Sequence, residues 1–280
     1  MTVKIRLQKS LLHVLLLTGA IVMLYPLLWM LSGSLKPAEH IFADRSLWSD
    51  QFMLDNYVKG WQGIAGIPFY IFFKNSFLLS AISIIGNVVS CSMAAYAFAR
   101  LEFPWKKLFF IAMLGTMMLP YHVLIIPQYI IFNQLGWVNT FLPLTLPKFL
   151  ATEGFFIFLM VQFMRSLPSE LDKAATVDGC GPVQIYWRLV LPLSLPVIVT
   201  TVIFTFIWTW NDFFSQLLYL NDAKNYTISL GLRLFLDSTS QSQWGSMFAM
   251  STLSLVPIFL VFLFFQRYII EGITAGGLKG

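Results

Sequence analysis

Charge is what this sequence has least of: Asp, Glu, Lys and Arg make up 11% of its 280 residues, against roughly 25% in an ordinary soluble domain. A surface that faces water on every side is excluded. Two cysteines, Cys91 in an apolar run and Cys180 in a polar stretch, are too few and too ill-matched for a disulfide framework, so both read as reduced and structural. No glycine-rich loop ends in Gly-Lys-Ser/Thr, so the chain is expected neither to bind nor to split ATP and to hold no cofactor or metal of its own. No H-E-x-x-H pair or nucleophile elbow lies in any apolar run, which argues against an intramembrane enzyme. No repeated charged or carbonyl-rich element supplies the ring of a channel filter, and no repeat of 20 to 50 residues is visible. The net charge of +5 is scattered in small groups beside apolar runs, not massed in the patch that nucleic acid requires.

What is present is oil. The chain is 58% apolar and 16% aromatic, with 27 Phe and 9 Trp, the composition of an integral membrane protein whose surface meets lipid tails and whose ends meet headgroups. A span needs about 20 mostly apolar residues to cross a core of about 30 Å. Six stretches qualify, near Leu11 to Leu31, Ser76 to Phe98, Leu108 to Phe132, Phe141 to Phe163, Pro192 to Leu220 and Ser246 to Ile269. Pro120 and Pro127 interrupt the third, and such breaks survive in a membrane only where protein or a water-filled cavity satisfies the freed carbonyls. That stretch is expected to border a pathway. The first follows Lys4, Arg6 and Lys9 as a signal peptide would, but its length and the lack of a small-residue cleavage site predict a retained anchor.

Cationic loops are retained in the cytoplasm. With the N-terminus inside, that side holds Lys4, Arg6, Lys9, Arg100, Lys106, Lys107, Arg165, Lys173, Arg188, Arg267 and Lys279. The other side has Lys36, Arg45, Lys59, Lys74, Lys224 and Arg233, diluted by Glu39, Asp44, Asp50, Asp55, Asp222 and Asp237. Both termini are therefore expected in the cytoplasm. The outer loop from Ser32 to Asn75, with Trp48, Tyr57 and Trp61, has room for one or two short surface helices, and an interface belt explains its rings as well as ligand contact does.

One polar island, "ELDKAATVDGCGPVQIYWRLVLPLSLP" from Glu170 to Pro196, separates two of the most apolar stretches. Ser169 after Pro168 is placed to cap a short helix with Glu170 and Asp172 at its positive end. Asp178-Gly179 is a left-handed stop, and Pro182 suits the first turn of a second helix. Val183, Tyr186, Trp187 and Val190 then recur at helical spacing as one apolar face. The first helix is expected to expose Ala174 and Ala175, small residues that let another surface approach closely. Spacing alone leaves two readings, a docking knob or a plain connecting loop. A third, a helix lying on anionic lipid, fits poorly because Glu170, Asp172 and Asp178 stand against Lys173 and Arg188.

The string "KAATVDGCGPVQIYWRLVLP" resembles the EAA motif of bacterial ABC importer permeases, Glu-Ala-Ala followed after three residues by Gly and nine residues later by Ile-x-Leu-Pro. Ala174, Ala175, Asp178, Gly179, Leu191 and Pro192 fall on that pattern; Lys173 stands where the family usually has Glu, and Leu189 where it usually has Ile. Asp172 or Glu170 is placed to substitute for the missing acid. "NSFLLSAISIIGNVVSCSMAAYAFARLEFPWKKLFF", "FTFIWTWNDFF" and the ending "GITAGGLKG" are similar to the maltose-permease-type branch, so the resemblance covers nearly the whole chain.

The resemblance implies an all-α integral membrane fold of six transmembrane helices, the type I ABC importer (MetI-like) permease core with cytoplasmic EAA coupling helices. It divides the chain into an N-terminus and first span (1–33), an extracytoplasmic loop (34–70), a core (71–269) holding the EAA loop at 166–191, and a cytoplasmic tail (270–280). It implies a bacterial inner-membrane permease that imports a carbohydrate, a di- or oligosaccharide, or alternatively a polyol or glycerol phosphate ester. The implied partners are a second permease subunit in a heterodimer, a cytoplasmic ATPase dimer that uses ATP and Mg, and an extracytoplasmic binding protein. Glu170, Asp172, Lys173, Ala174, Ala175, Asp178, Gly179, Leu189, Leu191 and Pro192 would couple to the ATPase, and Gly276, Gly277 and Lys279 in the tail would reach toward it. An ion-gradient-driven transporter or a channel is the alternative of another class, although Asp212 is the one strong buried-carboxylate candidate near a span.

Polar groups inside a membrane are functional candidates by default. Tyr121, His122, Trp210, Asn211, Asp212 and Gln216 are the candidates for a substrate pathway, with Asn87, Gln128 and Glu153 beside them. His122 also suits helix packing, Lys148 and Glu153 suit a simple ion pair, and Trp208 and Trp210 beside Asn211 suit either a sugar ring or packing.

Overall fold

The computed structural model describes residues 2–44, 46–47, 52–236 and 243–277, with side chains described from 8 to 267 within them; Arg45, Trp48, Asp50, Asp237 and Lys279 lie outside the described residues. Among those residues the structure is helical, and the pairing of Ile64 with Ile67 is an isolated bridge. The chain divides into two compact units, 1–70 with 231–256, and 71–230 with 257–280.

The first unit begins with α1 (Thr2–Ser34), whose Leu, Val and Ile side chains from Leu11 to Leu28 are exposed, as lipid-facing residues must be. The segment after α1 carries two short helices, α2 (His40–Ala43) and α3 (Asp55–Gln62), the number the loop had room for. Buried Asn56 on α3 donates from Nδ2 to the carbonyls of Ser34 at 3.0 Å and Lys36 at 2.9 Å, tying the segment to the end of α1. The Lys36 ammonium is buried and pairs with Asp44 at 3.4 Å, so its charge is not left unmatched. Trp29 meets Phe248 edge to face at 5.3 Å, joining α1 to the start of α15 (Trp244–Gly277).

In the second unit α4 (Phe69–Arg100) is a single unbroken helix, and the expected third span is not. It comprises α5 (Lys106–Met117) and α6 (Tyr121–Gln134), inclined by 99°. Pro120 sits at the junction as the N-cap of α6, where its missing N–H costs nothing. Pro127 is carried inside α6 and does not break it, which corrects the expectation that both prolines interrupt the span.

The fourth stretch starts as α7 (Leu142–Thr145) and a 3-10 turn (Leu146–Leu150), is interrupted at Ala151 with φ +54°, and continues as α8 (Gly154–Ser166). Three more helices form the polar island: α9 (Glu170–Val177), α10 (Pro182–Ile185) and α11 (Leu191–Leu193), the last two separated by a π turn over Tyr186–Val190. The expected span from Pro192 to Leu220 is also divided. A 75° bend separates the 182–193 segment from α12 (Leu195–Asn211), and α13 (Phe214–Tyr219) follows as its own piece. Pro196 is the cause: a ring at that position clashes with the carbonyl four residues back and donates nothing to it, so the chain breaks at Ser194. α14 (Ile228–Leu234) follows in sequence. The final helix α15 runs through 277, so the backbone of the expected tail continues the helix from 270 to 277. Among the described residues four helical stretches are long and apolar enough to cross a membrane, or up to 6 if each bent pair is one span.

The core of the second unit joins α4, α8, α12 and the island through Cys91, Tyr96, Phe156, Met160, Met164, Ile185, Tyr186, Val190 and Val197. Lipid is as apolar as these side chains, so close packing and internal hydrogen bonds, not transfer from water, hold the membrane part together. Asn87 on α4 supplies one such bond, donating to Thr205 Oγ1 on α12 at 3.1 Å while almost fully buried.

Candidate functional site: a coupling island and a polar cavity

The island is built from local rules. Leu167 is extended because Pro168 forbids helix before it, and this ends α8. Ser169 does not cap α9 as its position suggests; its own backbone is helical and its hydroxyl lies 3.4 Å from Glu170 Oε1 instead. Glu170 and Asp172 do occupy the first turn, where the dipole favours them. The stop is as expected. Gly179 has φ +83°, its N–H donates to Thr176 O at 3.0 Å, and the Cys180 N–H donates to Ala175 O at 2.9 Å, the paired closure of a Schellman motif. A Cβ on Gly179 would meet nothing within 4 Å, so glycine is required there for its backbone angle and not for space. Pro182 opens α10, and the Gly181 N–H is satisfied by Gln184 Oε1 at 3.1 Å.

The second helix departs from its expected face. Tyr186 and Val190 are buried together with Ile185, while Val183 is 71% and Trp187 54% exposed. Val183 and Trp187 are four residues apart and share the outer face of the helix, while Tyr186 and Val190, also four apart, share the buried one. The EAA-spaced residues divide accordingly. Glu170, Lys173, Ala174, Asp178, Gly179 and Pro192 are exposed, whereas Ala175, Leu189 and Leu191 are half-buried against the core. Ala175 therefore does not share the free surface expected for it beside Ala174.

Asp172 also turns inward. Its Oδ2 lies 3.2 Å from Arg100 Nε at the end of α4, and Arg100 Nη2 donates to Leu167 O at 2.9 Å. Tyr96 donates its hydroxyl to Pro182 O at 3.0 Å, and the hydroxyls of Ser92 and Tyr186 are 2.8 Å apart. These α4 partners were not singled out from the sequence. Their signal was a polar stripe, Ser92, Tyr96 and Arg100, at four-residue spacing at the end of α4.

A cavity of about 470 Å³ lies elsewhere in the same unit, lined by Tyr121, Lys148, Trp208, Asn211, Asp212 and Ser215 among others. A second of about 220 Å³ shares Tyr121, Lys148, Asp212 and Ser215 and adds Gln128 and Glu153. The Tyr121 and Ser215 hydroxyls are 2.8 Å apart, and Asp212 Oδ1 accepts the Ser215 N–H at 3.1 Å. Lys148 forms the ion pair with Glu153 that their spacing offered. Asn211, also in the lining, donates to its own helix at Ile207 O, 2.9 Å away.

Three of the sequence's pathway candidates, Tyr121, Asn211 and Asp212, thus come together, and three do not. His122 packs its ring against Phe214 at 5.3 Å. Trp210 is almost fully buried against Phe77 at 4.8 Å and Phe206 at 5.1 Å. Gln216 is buried, donating to Thr209 O at 2.9 Å and accepting from the Thr227 hydroxyl. Trp208, half-exposed and packed on Phe156 at 5.1 Å, supplies the ring at the cavity instead.

Residues 86–274 match the family described as binding-protein-dependent transport system inner membrane component. The chain is 33% identical to the trehalose/maltose transport system permease protein MalG of Thermococcus litoralis, covering 98% of this chain and 99% of that one. It is 30% identical to the sn-glycerol-3-phosphate transport system permease protein UgpE of Brucella abortus, covering 94% of each. In fold it is similar to a chain of a bacterial ABC transporter involved in the import of the acidic polysaccharide alginate, with a TM-score of 0.83 over 94% of this chain and 96% of that one at 20% identity. The chain belongs to the binding-protein-dependent transport system inner membrane component family.

Proposed function

We propose that the chain is the permease subunit of an ATP-driven importer that carries a neutral di- or oligosaccharide across the bacterial cytoplasmic membrane. In this reading it pairs with a second permease subunit, receives sugar from an extracytoplasmic binding protein, and keeps both termini in the cytoplasm. ATP and Mg are used by a separate ATPase dimer, and this chain carries no ATPase site of its own. Glu170, Lys173, Ala174, Asp178 and Gly179 form the outer face of the docking island, with Val183 and Trp187 beside them, and Gly276, Gly277 and Lys279 extend toward the ATPase. The observation that carries the reading is that island. It is a glycine-stopped helix on EAA spacing, its apolar Val177, Val183 and Trp187 exposed beside charged residues.

The cavity supports a neutral sugar over the glycerol phosphate ester. Its volume falls in the range of small-molecule sites, about 300–1,000 Å³. The indole ring of Trp208 with a carboxylate, an amide and two hydroxyls nearby suits a polyhydroxylated ring. A phosphate needs free cations, and the one lining cation among the described residues, Lys148, is engaged by Glu153 while Asp212 lies close by.

Proteoliposomes holding the assembled transporter and its binding protein test this with labelled maltose, trehalose and sn-glycerol 3-phosphate. ATP-dependent accumulation of a disaccharide is expected; accumulation of the phosphate ester alone, or uptake driven by an ion gradient without ATP, would overturn it.

A further inference from the structure

Ser92, Tyr96 and Arg100 stand at intervals of four on the last turns of α4, so their side chains form one stripe along the helix. Each member grips a different part of the island: Arg100 the first turn of α9 through Asp172 and the entry loop through Leu167 O, Tyr96 the start of α10 through Pro182 O, and Ser92 the π turn through Tyr186. The Tyr96 and Tyr186 rings also meet at 5.3 Å. The covalent route from the island to α12 is, by contrast, broken at Ser194 and bent by 75°. Higher on α4, Ser90 donates to Lys148 O at 2.7 Å, and Gly86 lets Phe149 and Lys148 pack so closely that a Cβ would come within 2.8 Å of the Phe149 ring. One helix without a break therefore touches the wall of the cavity at Gly86 and Ser90 and the island from Ser92 to Arg100, a stretch of about 20 Å in all at 1.5 Å per residue.

We infer that α4 is the strut through which movement of the island reaches the cavity, and that Asp172 is a positioning residue serving Arg100, not a contact for the ATPase. This rests on the island being an ATPase docking surface. Lys173 then faces the partner without a neighbouring acid to replace the family's Glu except Glu170, because Asp172 is spent inside the chain. Island and α4 move as one body, and the flexion of each cycle is taken up at Ser194.

Spin-label distances in the purified complex with its ATPase test the strut without knowledge of the sugar. Labels go on Val183→Cys in the island, paired with Leu78→Cys on α4 or with Leu195→Cys on α12, all exposed, in a Cys180→Ser background with Cys91 fully buried. Between the nucleotide-free and ATP–vanadate states, the 183–78 distance is expected to hold within about 2 Å while the 183–195 distance changes. Asp172→Asn and Asp172→Arg should make the 183–78 distance nucleotide-dependent with the ATPase still bound, and adding Arg100→Asp to Asp172→Arg should restore it. An invariant 183–78 distance in both single variants, or a swap that restores nothing, overturns the strut while leaving docking intact. A wild-type complex that holds no ATPase overturns the docking reading, and the strut with it.

Discussion

The island and the cavity sit in one compact unit and are made in opposite ways. The island is about two dozen contiguous residues whose shape is set by local chemistry: a proline before it, a left-handed glycine in its middle, a proline at the start of its second helix. The cavity draws Tyr121, Lys148, Trp208 and Asp212 from separate segments that meet only when the unit folds. The island is rigid in design and exposed in position, suited to a standing protein partner. The cavity pairs Lys148 with Glu153 and ties Asp212 to the Ser215 N–H, suited to a ligand that comes and goes. Damage to one should therefore spare the other, and each prediction probes that separation.

The largest effect is expected from Gly179→Pro. Proline is fixed near φ −65° and has no N–H, so it loses both the +83° turn and the bond to Thr176 O, at about 3 kcal/mol or more of local stability. Pull-down of the ATPase should fall by roughly two orders of magnitude, while the purified permease elutes as before. Gly179→Asn, which tolerates the left-handed region, should retain most of the capture.

At the cavity, Asp212→Asn and Trp208→Ala should each lower sugar uptake about 10- to 100-fold, the effect of about 1.5–3 kcal/mol from one lost charged hydrogen bond or ring contact. Capture of the ATPase should not change in either variant, and loss of capture would show that the two regions are not separable. Trp210→Phe, which keeps a ring in the buried Phe77 and Phe206 cluster, should leave uptake near wild type.

Gly86→Ala is an intermediate case because it lies between the two. The added methyl must push aside Phe149 and Lys148, at about 1–3 kcal/mol, and should reduce uptake without reducing ATPase capture. Thermal unfolding of the purified chain followed alongside transport separates lost stability from lost function.

Lys173→Glu should have the smallest effect. The side chain is exposed, and a surface ion pair is worth about 0.2–1 kcal/mol, so ATPase affinity should shift only severalfold and the shift should shrink in high salt.

The contrast also explains what could be read from the sequence. Gly179, Pro182 and the EAA spacing act on their nearest neighbours, so the island's stops and starts were legible residue by residue. Pro120 was legible as a break for the same reason. The cavity was legible only as a set of polar residues in apolar surroundings, and its membership was not. Trp208 and Trp210 are two positions apart, about 200° around a helix, so only one faces the cavity, and helical phase had no anchor until Phe77 and Phe206 were seen to take Trp210. Helical spacing likewise placed Val183, Tyr186, Trp187 and Val190 in one set and did not show that the first and third face out while the second and fourth face in. Pro196 could have been read as the break ahead of α12, but the unbroken apolar run around it outweighed one residue. Asp172 shows the deeper limit: placed beside Lys173 it looked available to a partner, and only the fold shows that Arg100 already holds it.

The central claim is that the island is where a separate ATPase grips the chain, and photo-crosslinking tests it most directly. A benzophenone on Val183→Cys, in a Cys180→Ser background and in native membranes, should give one prominent adduct containing the ATPase, with a yield that changes when ATP–vanadate is added. The same probe on Val123→Cys, exposed on α6, should not reach the ATPase. Lipid adducts alone from position 183, with the ATPase present and assembled, would contradict the account.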